Sequence, residues 1–240
     1  RTRDRILQEI DLRFNMRAAL FPLGRHDEWA EYVRAAEPLA KEVGDKARLG
    51  NCYKYLSTHL WARCQYKEAI KLCEEAIDLA DSAGDFSVHI TTMFHLGVPL
   101  LFTGQYERQV KLHREVAERL SGPAAFERHG LAGLPSVLAR SILSWGLAEI
   151  GEFEEAEERG LQGVEIAEQG NNLFSTTWAY AFVGAAYLWQ GKLVRATRIL
   201  ETALALCREA DVLSAFSFIA GCLGHAQSLL GHPDDALPIL

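Results

Sequence analysis

The residues that could carry chemistry in this chain are histidines, carboxylates and one serine. The closest histidine pairs are His89 with His95 and His225 with His232. Neither spacing places two imidazoles on one helical turn, as the zinc-binding H-E-x-x-H motif does. These histidines are therefore expected to be solvated or hydrogen-bonded structural residues. We predict no metal site and no cofactor.

The most acidic stretch is EFEEAEE, residues 152–158. Acid–base catalysis needs a carboxyl group whose surroundings shift its pKa, and nothing near this stretch implies an apolar pocket. Its carboxylates follow one another at helical spacing, which predicts a solvated helix face. Ser136 lies in LPSVL rather than in a G-x-S-x-G elbow, so we expect it to cap a helix and not to act as a nucleophile. We predict no catalytic residue.

Composition narrows the class of protein. The 240 residues are 49% hydrophobic and 24% charged, which is typical of a soluble globular chain. A net charge of −7 argues against a nucleic-acid-binding surface. The sequence shows neither a membrane-spanning apolar run nor a signal peptide. The five cysteines form no C-x-x-C pair, as is usual for free thiols in a reducing compartment, so we expect a cytoplasmic protein with no membrane contact.

A repeat of about 40 residues must position these side chains. Each repeat contains one residue at the expected turn between its two helices, which we call the turn mark. The turn marks are separated by 40, 40, 47, 40 and 40 residues, at Gly24, Cys64, Gly104, Gly151, Gly191 and Gly231. Between the marks, apolar residues recur every three or four places, which predicts two helices in each unit. Seven places before each mark from the second onwards stands a serine or glycine, which is expected to let the paired helices approach closely.

A second kind of turn is expected after the second helix of three units. Glycines there are predicted in the left-handed conformation that ends a helix, at Gly44, Gly84 and Gly170. Polar residues that follow are predicted to cap the next helix, at Asp45, Asp85 and Asn172. The pattern predicts an all-α, right-handed solenoid that forms one domain over residues 1–240. Its units are 1–44, 45–84, 85–124, 125–171, 172–211 and a truncated 212–240.

Several residues at and before the turn marks resemble those of a known repeat family. Leu96, Gly97, Gly104 and Tyr106 resemble the signature of the tetratricopeptide repeat (TPR), with units of 40 residues rather than about 34. Three stretches resemble the C-terminal repeat region of bacterial proteins that join a class III adenylate/guanylate cyclase domain to an AAA-type ATPase; they are LRFNMRAALFPLG (12–24), ERHGLAGLPSVLARSILSWGLAEIGEFEEA (127–156) and LALCREAD (204–211). This resemblance implies a regulatory or sensor arm of a larger signalling protein, with the nucleotide chemistry outside these residues.

TPR arrays bind peptides or partner helices on a concave groove lined by the first helix of each pair. Counting back from each turn mark selects the groove residues Asn51, Lys54, Thr58, Trp61, Thr91, Phe94, Val98, Leu101, Ser141, Trp145, Trp178, Leu188, Phe218 and His225. Aromatic side chains and scattered hydroxyls favour an amphipathic or apolar partner segment. The alternative is that Trp61, Trp145 and Trp178 only pack between neighbouring helices.

The 47-residue interval contains seven extra residues, which fall in a loop at 121–136. One interpretation is a long connection packed on the edge of the solenoid, with Pro135 in the first turn of the next helix. A second is a partner or hinge site that uses Arg128 and His129. A phosphate-binding loop is the weakest interpretation, because Gly130 and Gly133 are not followed by Gly-Lys-Ser or Gly-Lys-Thr.

The function that these features predict is protein recognition, in cis or in trans, by a non-enzymatic regulatory module. Two alternatives are a free-standing adaptor protein and a small-ligand or catalytic site near the 121–136 loop. The sequence stops seven residues into the expected second helix of the sixth pair. We therefore expect end-to-end self-association through an uncovered apolar face, or a frayed C-terminus.

Overall fold

The computed structural model describes residues 2–239, which form helices joined by turns and loops, without a strand in that range. The α-helices are α1 Arg3–Leu20, α2 His26–Glu42, α3 Lys46–Ala62, α4 Tyr66–Ala83, α5 Phe86–Phe102, α6 Tyr106–Arg119, α7 Pro135–Glu149, α8 Phe153–Gln169, α9 Leu173–Trp189, α10 Leu193–Glu209, α11 Phe216–Leu229 and α12 Pro233–Ala236. Two short 3₁₀ turns lie at Gly122–Phe126 and Leu213–Ala215. The predicted all-α class is confirmed.

Contacts between helices divide the chain into two compact units. One consists of residues 1–21 and 25–112, and the other of residues 22–24 and 113–240, so that the division falls within α6. In the first unit, α3 packs against α4 and also against α5, the first helix of the next pair. In the second unit, α9 contacts α10 of its own pair and both α7 and α11 of the neighbouring pairs. A single continuous solenoid over all 240 residues stays a prediction.

The predicted turn marks adopt left-handed backbone conformations. The φ angles are 70° at Gly24, 72° at Gly104, 83° at Gly151, 71° at Gly191 and 85° at Gly231. Cys64 adopts the same conformation with a φ of 60°, although its β-carbon makes that region unfavourable. The repeat therefore imposes one backbone geometry at all six turns, including the one that lacks glycine.

The caps between pairs follow the sequence with one exception. Asp45 and Asp85 accept hydrogen bonds from the N–H groups of Arg48 and Val88, each at 2.9 Å. Asn172 accepts from the N–H of Ser175 at 2.8 Å.

Gly44 and Gly84 are left-handed as predicted, with φ angles of 65° and 64°. The prediction for Gly170 is wrong, because its φ is −77° and Asn171 takes the left-handed conformation at 47°. Gly170 instead provides room for packing, since a β-carbon there would lie 2.9 Å from Leu134 Cδ1.

Small residues do bring paired helices together. A β-carbon at Gly184 in α9 would lie 2.6 Å from Leu200 Cγ in α10. Ser144 in α7 donates a 2.5 Å hydrogen bond to the carbonyl of Ala156 in α8. The predicted close approach is confirmed at these two positions.

Ion pairs connect successive repeats within each unit. In the first unit, Arg48 lies 2.8 Å from Asp11, Arg63 lies 2.9 Å from Asp27 and Arg108 lies 2.6 Å from Glu74. Their partners are 37, 36 and 34 residues apart, close to one repeat. Exposed ion pairs contribute at most about 1 kcal/mol each. The packed helices therefore supply most of the stability, and the ion pairs add to it at the surface.

Candidate functional site

The acidic stretch at 152–158 forms ion pairs within the second compact unit of the chain. Glu155 accepts hydrogen bonds from Arg114 at 3.0 and 2.5 Å, and this bonding lowers the pKa of the Glu155 carboxyl. Glu157 accepts from Lys192 at 2.7 Å and from Arg195 at 2.9 Å, and the Lys192 bond lowers the Glu157 pKa. Both carboxylates are ionised and paired with basic side chains of neighbouring repeats. Glu155 and Glu157 are half-buried, whereas Glu152, Glu154 and Glu158 are exposed, as expected for a solvated helix face.

The 121–136 loop is held by hydrogen bonds. Pro135 begins α7 as predicted, but the expectation that Ser136 caps this helix is wrong. Leu134 occupies the N-cap position, and the buried Ser136 hydroxyl instead donates to the carbonyl of Ala125 in the 3₁₀ turn. Leu134 N–H also donates to Ser175 Oγ at 2.7 Å, which joins the end of the loop to α9.

Arg128 and His129 take part in this local structure. Arg128 donates from Nε to the Leu131 carbonyl at 3.1 Å and from Nη2 to the Ala132 carbonyl at 3.0 Å. His129 has a left-handed φ of 47°, and its Nε2 lies 3.5 Å from a carboxylate oxygen of Glu127. A partner or hinge site at these two residues stays a prediction.

Arg140 in α7 is a structural residue that the sequence analysis did not select. It is 6% exposed and donates to the carbonyls of Ala117 and Leu120 at 2.7 and 3.2 Å. Basic side chains often bind the free carbonyls at a helix C-terminus, and these two carbonyls lie at the end of α6. Burial lowers the pKa of Arg140, but a guanidinium remains charged in proteins.

The predicted groove residues of the first unit lie on α3 and α5. Most of them are buried, namely Lys54, Thr58, Thr91, Phe94, Val98 and Leu101, while Asn51 and Trp61 are half-buried. The structure brings three of the polar ones together. Lys54 Nζ donates to Asn51 Oδ1 at 2.6 Å and to Thr91 Oγ1 at 2.9 Å.

Lys54 occupies an unusual environment for a lysine. It is 1% exposed, and its ammonium lies 4.5 Å from the centre of the Tyr55 ring. Burial, followed by repulsion from Arg17, lowers the pKa of Lys54 to about 7. At neutral pH this side chain is therefore close to the midpoint of its titration.

Arg17 on α1 completes this part of the structure and was not predicted. Its guanidinium lies 4.3 Å from the Tyr55 ring centre, 4.5 Å from that of Phe21 and 5.6 Å from that of Trp29. The side chain is 2% exposed, and its Nε and Nη1 have no hydrogen-bond acceptor among residues 2–239. A sequence signal existed, because Arg17 shares the helix face of Ile6, Ile10 and Leu20, all of which are buried.

In the second unit the predicted groove residues Trp145, Trp178 and Phe218 come together around Phe182. The centre of the Phe182 ring lies 5.9, 5.3 and 5.2 Å from those of Trp145, Trp178 and Phe218, respectively. Trp189 extends the group, 6.4 Å from Trp145. We call Trp145, Trp178, Phe182, Trp189 and Phe218 the aromatic cluster. Phe182 and Trp189 were not predicted, because the repeat register assigns one groove position per helical turn.

The aromatic cluster runs from the interior to the surface of the second unit. Trp145 and Phe182 are 7% and 9% exposed, Trp178 and Phe218 are half-buried, and Trp189 is 42% exposed. His225 is exposed and lies 5.9 Å from Trp189, ring centre to ring centre. The other predicted groove residues of this unit, Ser141 and Leu188, are buried. The use of these residues in binding stays a prediction.

Other kinds of site are not found in the part of the chain that the structure describes. Residues 2–239 contain no group of three histidine, cysteine, aspartate or glutamate side chains placed to hold a metal ion. All five cysteines are free thiols. No helix in residues 2–239 combines the length and the apolar character that crossing a membrane requires.

Comparison with known proteins identifies the fold. No protein-family profile matches the chain, and no curated protein sequence is similar to it. Among solved structures, a Rap protein complexed with Competence and Sporulation Factor is similar with a TM-score of 0.68 and 14% identity, over 97% of this chain and 74% of that one.

Two further structures are also similar. A thermophilic TPR protein of Thermus thermophilus has a TM-score of 0.55 and 18% identity, over 79% of this chain and 87% of that one. A signal transduction ATPase with a TPR sensor from Pyrococcus horikoshii has a TM-score of 0.56 and 15% identity, over 95% of this chain and 36% of that one. At these identities the likeness concerns the fold, and it confirms the predicted all-α fold of TPR-like helix pairs.

Proposed function

We propose that this chain is a protein-interaction module that recognises a peptide or protein segment and thereby regulates an attached or associated protein. The observation that carries the proposal is the aromatic cluster. Its rings come from α7, α9 and α11, the first helices of three successive pairs. A partner segment that lies across these helices would contact a continuous aromatic surface.

The cluster has the composition of an interface anchor. Tryptophan is over-represented among the residues that dominate binding energies, where it is surrounded by contacts that exclude water. The buried Trp145 and Phe182 hold the half-buried Trp178 and Phe218 in fixed positions, so little conformational entropy would be lost on binding. The exposed part of the cluster suits the apolar face of an amphipathic segment.

A regulatory role is supported by two of the structures to which this chain is similar. One similar protein was crystallised with Competence and Sporulation Factor, and in another the TPR region is the sensor of a signal transduction ATPase. By analogy, the present chain would act as the sensor arm of a cyclase or ATPase, in the cytoplasm and without catalysis of its own. Regulation of this kind requires a difference in partner affinity between two states, typically about 1–3 kcal/mol.

The proposal is tested by removing the two half-buried rings of the aromatic cluster while keeping its buried part. A variant with Trp178→Ala and Phe218→Ala is expected to lose at least about 2 kcal/mol of binding energy for the partner, as interface anchors do. The partner is first identified by affinity purification with the unaltered chain, and its affinity for both proteins is then measured by calorimetry.

The matched control changes two exposed apolar residues on second helices. Phe153 begins α8 and Val194 lies in α10, and they are 44% and 67% exposed. Phe153→Ala with Val194→Ala is expected to leave the affinity unchanged. Equal affinity of the cluster variant and the unaltered chain would contradict the proposal. The same experiment on the full-length polypeptide separates a regulatory arm from a free-standing adaptor, since only an arm has its partner in cis.

A further inference from the structure

Two cationic side chains of the first unit lie on the same tyrosine ring without an acidic partner. The Arg17 guanidinium and the Lys54 ammonium lie 4.3 and 4.5 Å from the centre of the Tyr55 ring. They are 2% and 1% exposed. Neither has an ion-pair partner among residues 2–239. Below the Lys54 pKa of about 7, like charges are thus buried together, in a chain whose net charge is negative.

Burial of an unpaired charge is unfavourable, and proteins usually compensate it with a counter-ion or with complete hydrogen bonding. Aromatic rings offset part of the cost for Arg17 through cation–π contacts with Phe21, Trp29 and Tyr55. They do not provide acceptors for the Arg17 Nε and Nη1 groups, which remain without hydrogen bonds in residues 2–239. The cluster is therefore incomplete as a purely structural element.

Lys54 also has donor capacity left. An ammonium carries three N–H groups, and Lys54 directs two bonds to Asn51 Oδ1 and Thr91 Oγ1. His95 Nδ1 is not an acceptor for Lys54, because it lies 2.6 Å from the Thr91 carbonyl and donates to it. Burial holds the pKa of His95 well below its usual value, so this imidazole adds no charge.

We propose that Arg17 and Lys54 form a binding site for an oxyanion, either a carboxylate or a phosphate. Charge-assisted hydrogen bonds from a guanidinium and an ammonium are the usual way in which proteins hold such groups. Asn51 is half-buried and its amide oxygen is 2.6 Å from the ammonium. The ligand reaches the site by displacing this amide, which is the contact of Lys54 nearest to the surface. The site belongs to the first unit alone and does not depend on the aromatic cluster.

Anion binding at this site is coupled to proton uptake. The titratable groups that influence Lys54 from the surrounding elements are Arg17 of α1, Cys73 of α4, Asp85 at the start of α5 and His95 of α5. In the absence of an anion the Lys54 pKa is about 7, and a bound oxyanion raises it. Above that pH, binding requires a proton from solution, so affinity falls as the pH rises.

The test uses the whole chain and three salts at matched ionic strength. Succinate provides carboxylates, inorganic phosphate provides the alternative oxyanion, and sodium chloride is the reference. A ligand of the native state raises the thermal unfolding midpoint in a saturable way. We expect such a rise with one or both oxyanions and none with chloride. A rise with succinate alone identifies a carboxylate site, and a rise with phosphate alone identifies a phosphate site.

Two variants make the result specific. Lys54→Met removes the buried charge with little change of volume and is expected to abolish the saturable rise. Lys71→Met removes a lysine whose side chain is 79% exposed, and it should keep the full rise. Calorimetry of the unaltered chain in two buffers of different ionisation enthalpy checks the coupling without any variant, and uptake of protons above the Lys54 pKa is expected. The proposal is overturned if neither oxyanion gives a saturable rise, or if Lys54→Met retains it.

Discussion

Cys64 occupies a position that the other five repeats give to glycine. Its backbone φ of 60° lies in the left-handed region, where an L-residue other than glycine is strained. The strain is tolerated because the turn between α3 and α4 must match the geometry of the other turns. The Cys64 side chain gains little in return, since it is exposed and the Tyr66 hydroxyl lies 3.5 Å from its sulfur.

We therefore predict that Cys64→Gly stabilises the protein by about 1 kcal/mol, because glycine adopts this conformation without strain. The measurement is the free energy of unfolding in urea. Gly104→Cys is the reverse exchange at the corresponding turn, where φ is 72° and a β-carbon meets nothing within 4 Å. It should destabilise by a similar amount. A destabilising effect of Cys64→Gly would show that the thiol contributes more than the strain costs.

Lys54 makes the stability of the folded chain depend on pH. Its pKa is lowered from 10.5 in the unfolded chain to about 7 by burial. Between these values the unfolded chain binds more protons than the folded one, so the free energy of unfolding rises with pH across this window. The stability gained by burying Lys54 in its neutral form is fully present above pH 10.5 and is lost as the pH falls towards 7.

Lys54→Met is predicted to remove this dependence. In the absence of an anion, the variant should be more stable than the unaltered chain by roughly 1–4 kcal/mol below the Lys54 pKa, where the buried ammonium is most costly. The difference should shrink as the pH approaches the unfolded value. Urea unfolding of both proteins across this range provides the measurement, and a difference that stays constant with pH would exclude a lowered Lys54 pKa.

At the scale of helices, the contact between α9 and α10 depends on the absence of a side chain at Gly184. A β-carbon there would lie 2.6 Å from Cγ and 2.7 Å from Cδ2 of Leu200, which is completely buried. Gly184→Ala is predicted to destabilise the protein by about 1–3 kcal/mol, the usual effect of overpacking a core. The unfolding transition in urea measures the change.

Gly221 provides the matched control in α11. A β-carbon at Gly221 meets nothing within 4 Å, and the residue is exposed. Gly221→Ala is expected to stabilise by roughly 0.5–1 kcal/mol, because alanine is the better helix former. If Gly184→Ala proved as favourable as Gly221→Ala, α10 would not approach α9 as closely as described.

The helices and turns could be predicted because their signals are local. The left-handed turn glycines and the caps Asp45 and Asp85 act on residues within the same few positions of the chain. Asn171 rather than Gly170 is the left-handed residue, and Gly170 packs against Leu134, a contact 36 positions away that no local signal reveals. Ser136 was misinterpreted for the same reason, since its partner is a carbonyl of the preceding 3₁₀ turn.

The candidate sites were predictable only in part. The repeat register selected Lys54, Trp145, Trp178 and Phe218, because it identifies one face of each first helix. Arg17 was missed, since its contacts join α1 to the start of α2 and to α3. Such contacts depend on how consecutive helix pairs stack, and the positions within one repeat carry no information about that stacking.

At the scale of the whole molecule, self-association is the remaining expectation. Apolar side chains are exposed on the last helices of the second unit, with Leu229 at 56% and Leu237 at 71%. We predict a concentration-dependent increase of sedimentation coefficient for the chain, driven by burial of this apolar surface. Leu229→Glu should weaken it, whereas Leu161→Glu on α8, at a residue that is 46% exposed, should not. A single sedimenting species of constant mass at all concentrations would contradict this prediction.

A partner segment that binds over the aromatic cluster would be detected there by site-specific photo-crosslinking. A photoreactive amino acid replaces Trp189, the exposed ring of the cluster, or Val194, which is 67% exposed on the neighbouring helix α10. We expect a specific crosslink from position 189 that disappears with Trp178→Ala and Phe218→Ala, and none from position 194. Crosslinks of equal yield from both positions, or a crosslink at 189 that survives the double substitution, would contradict it.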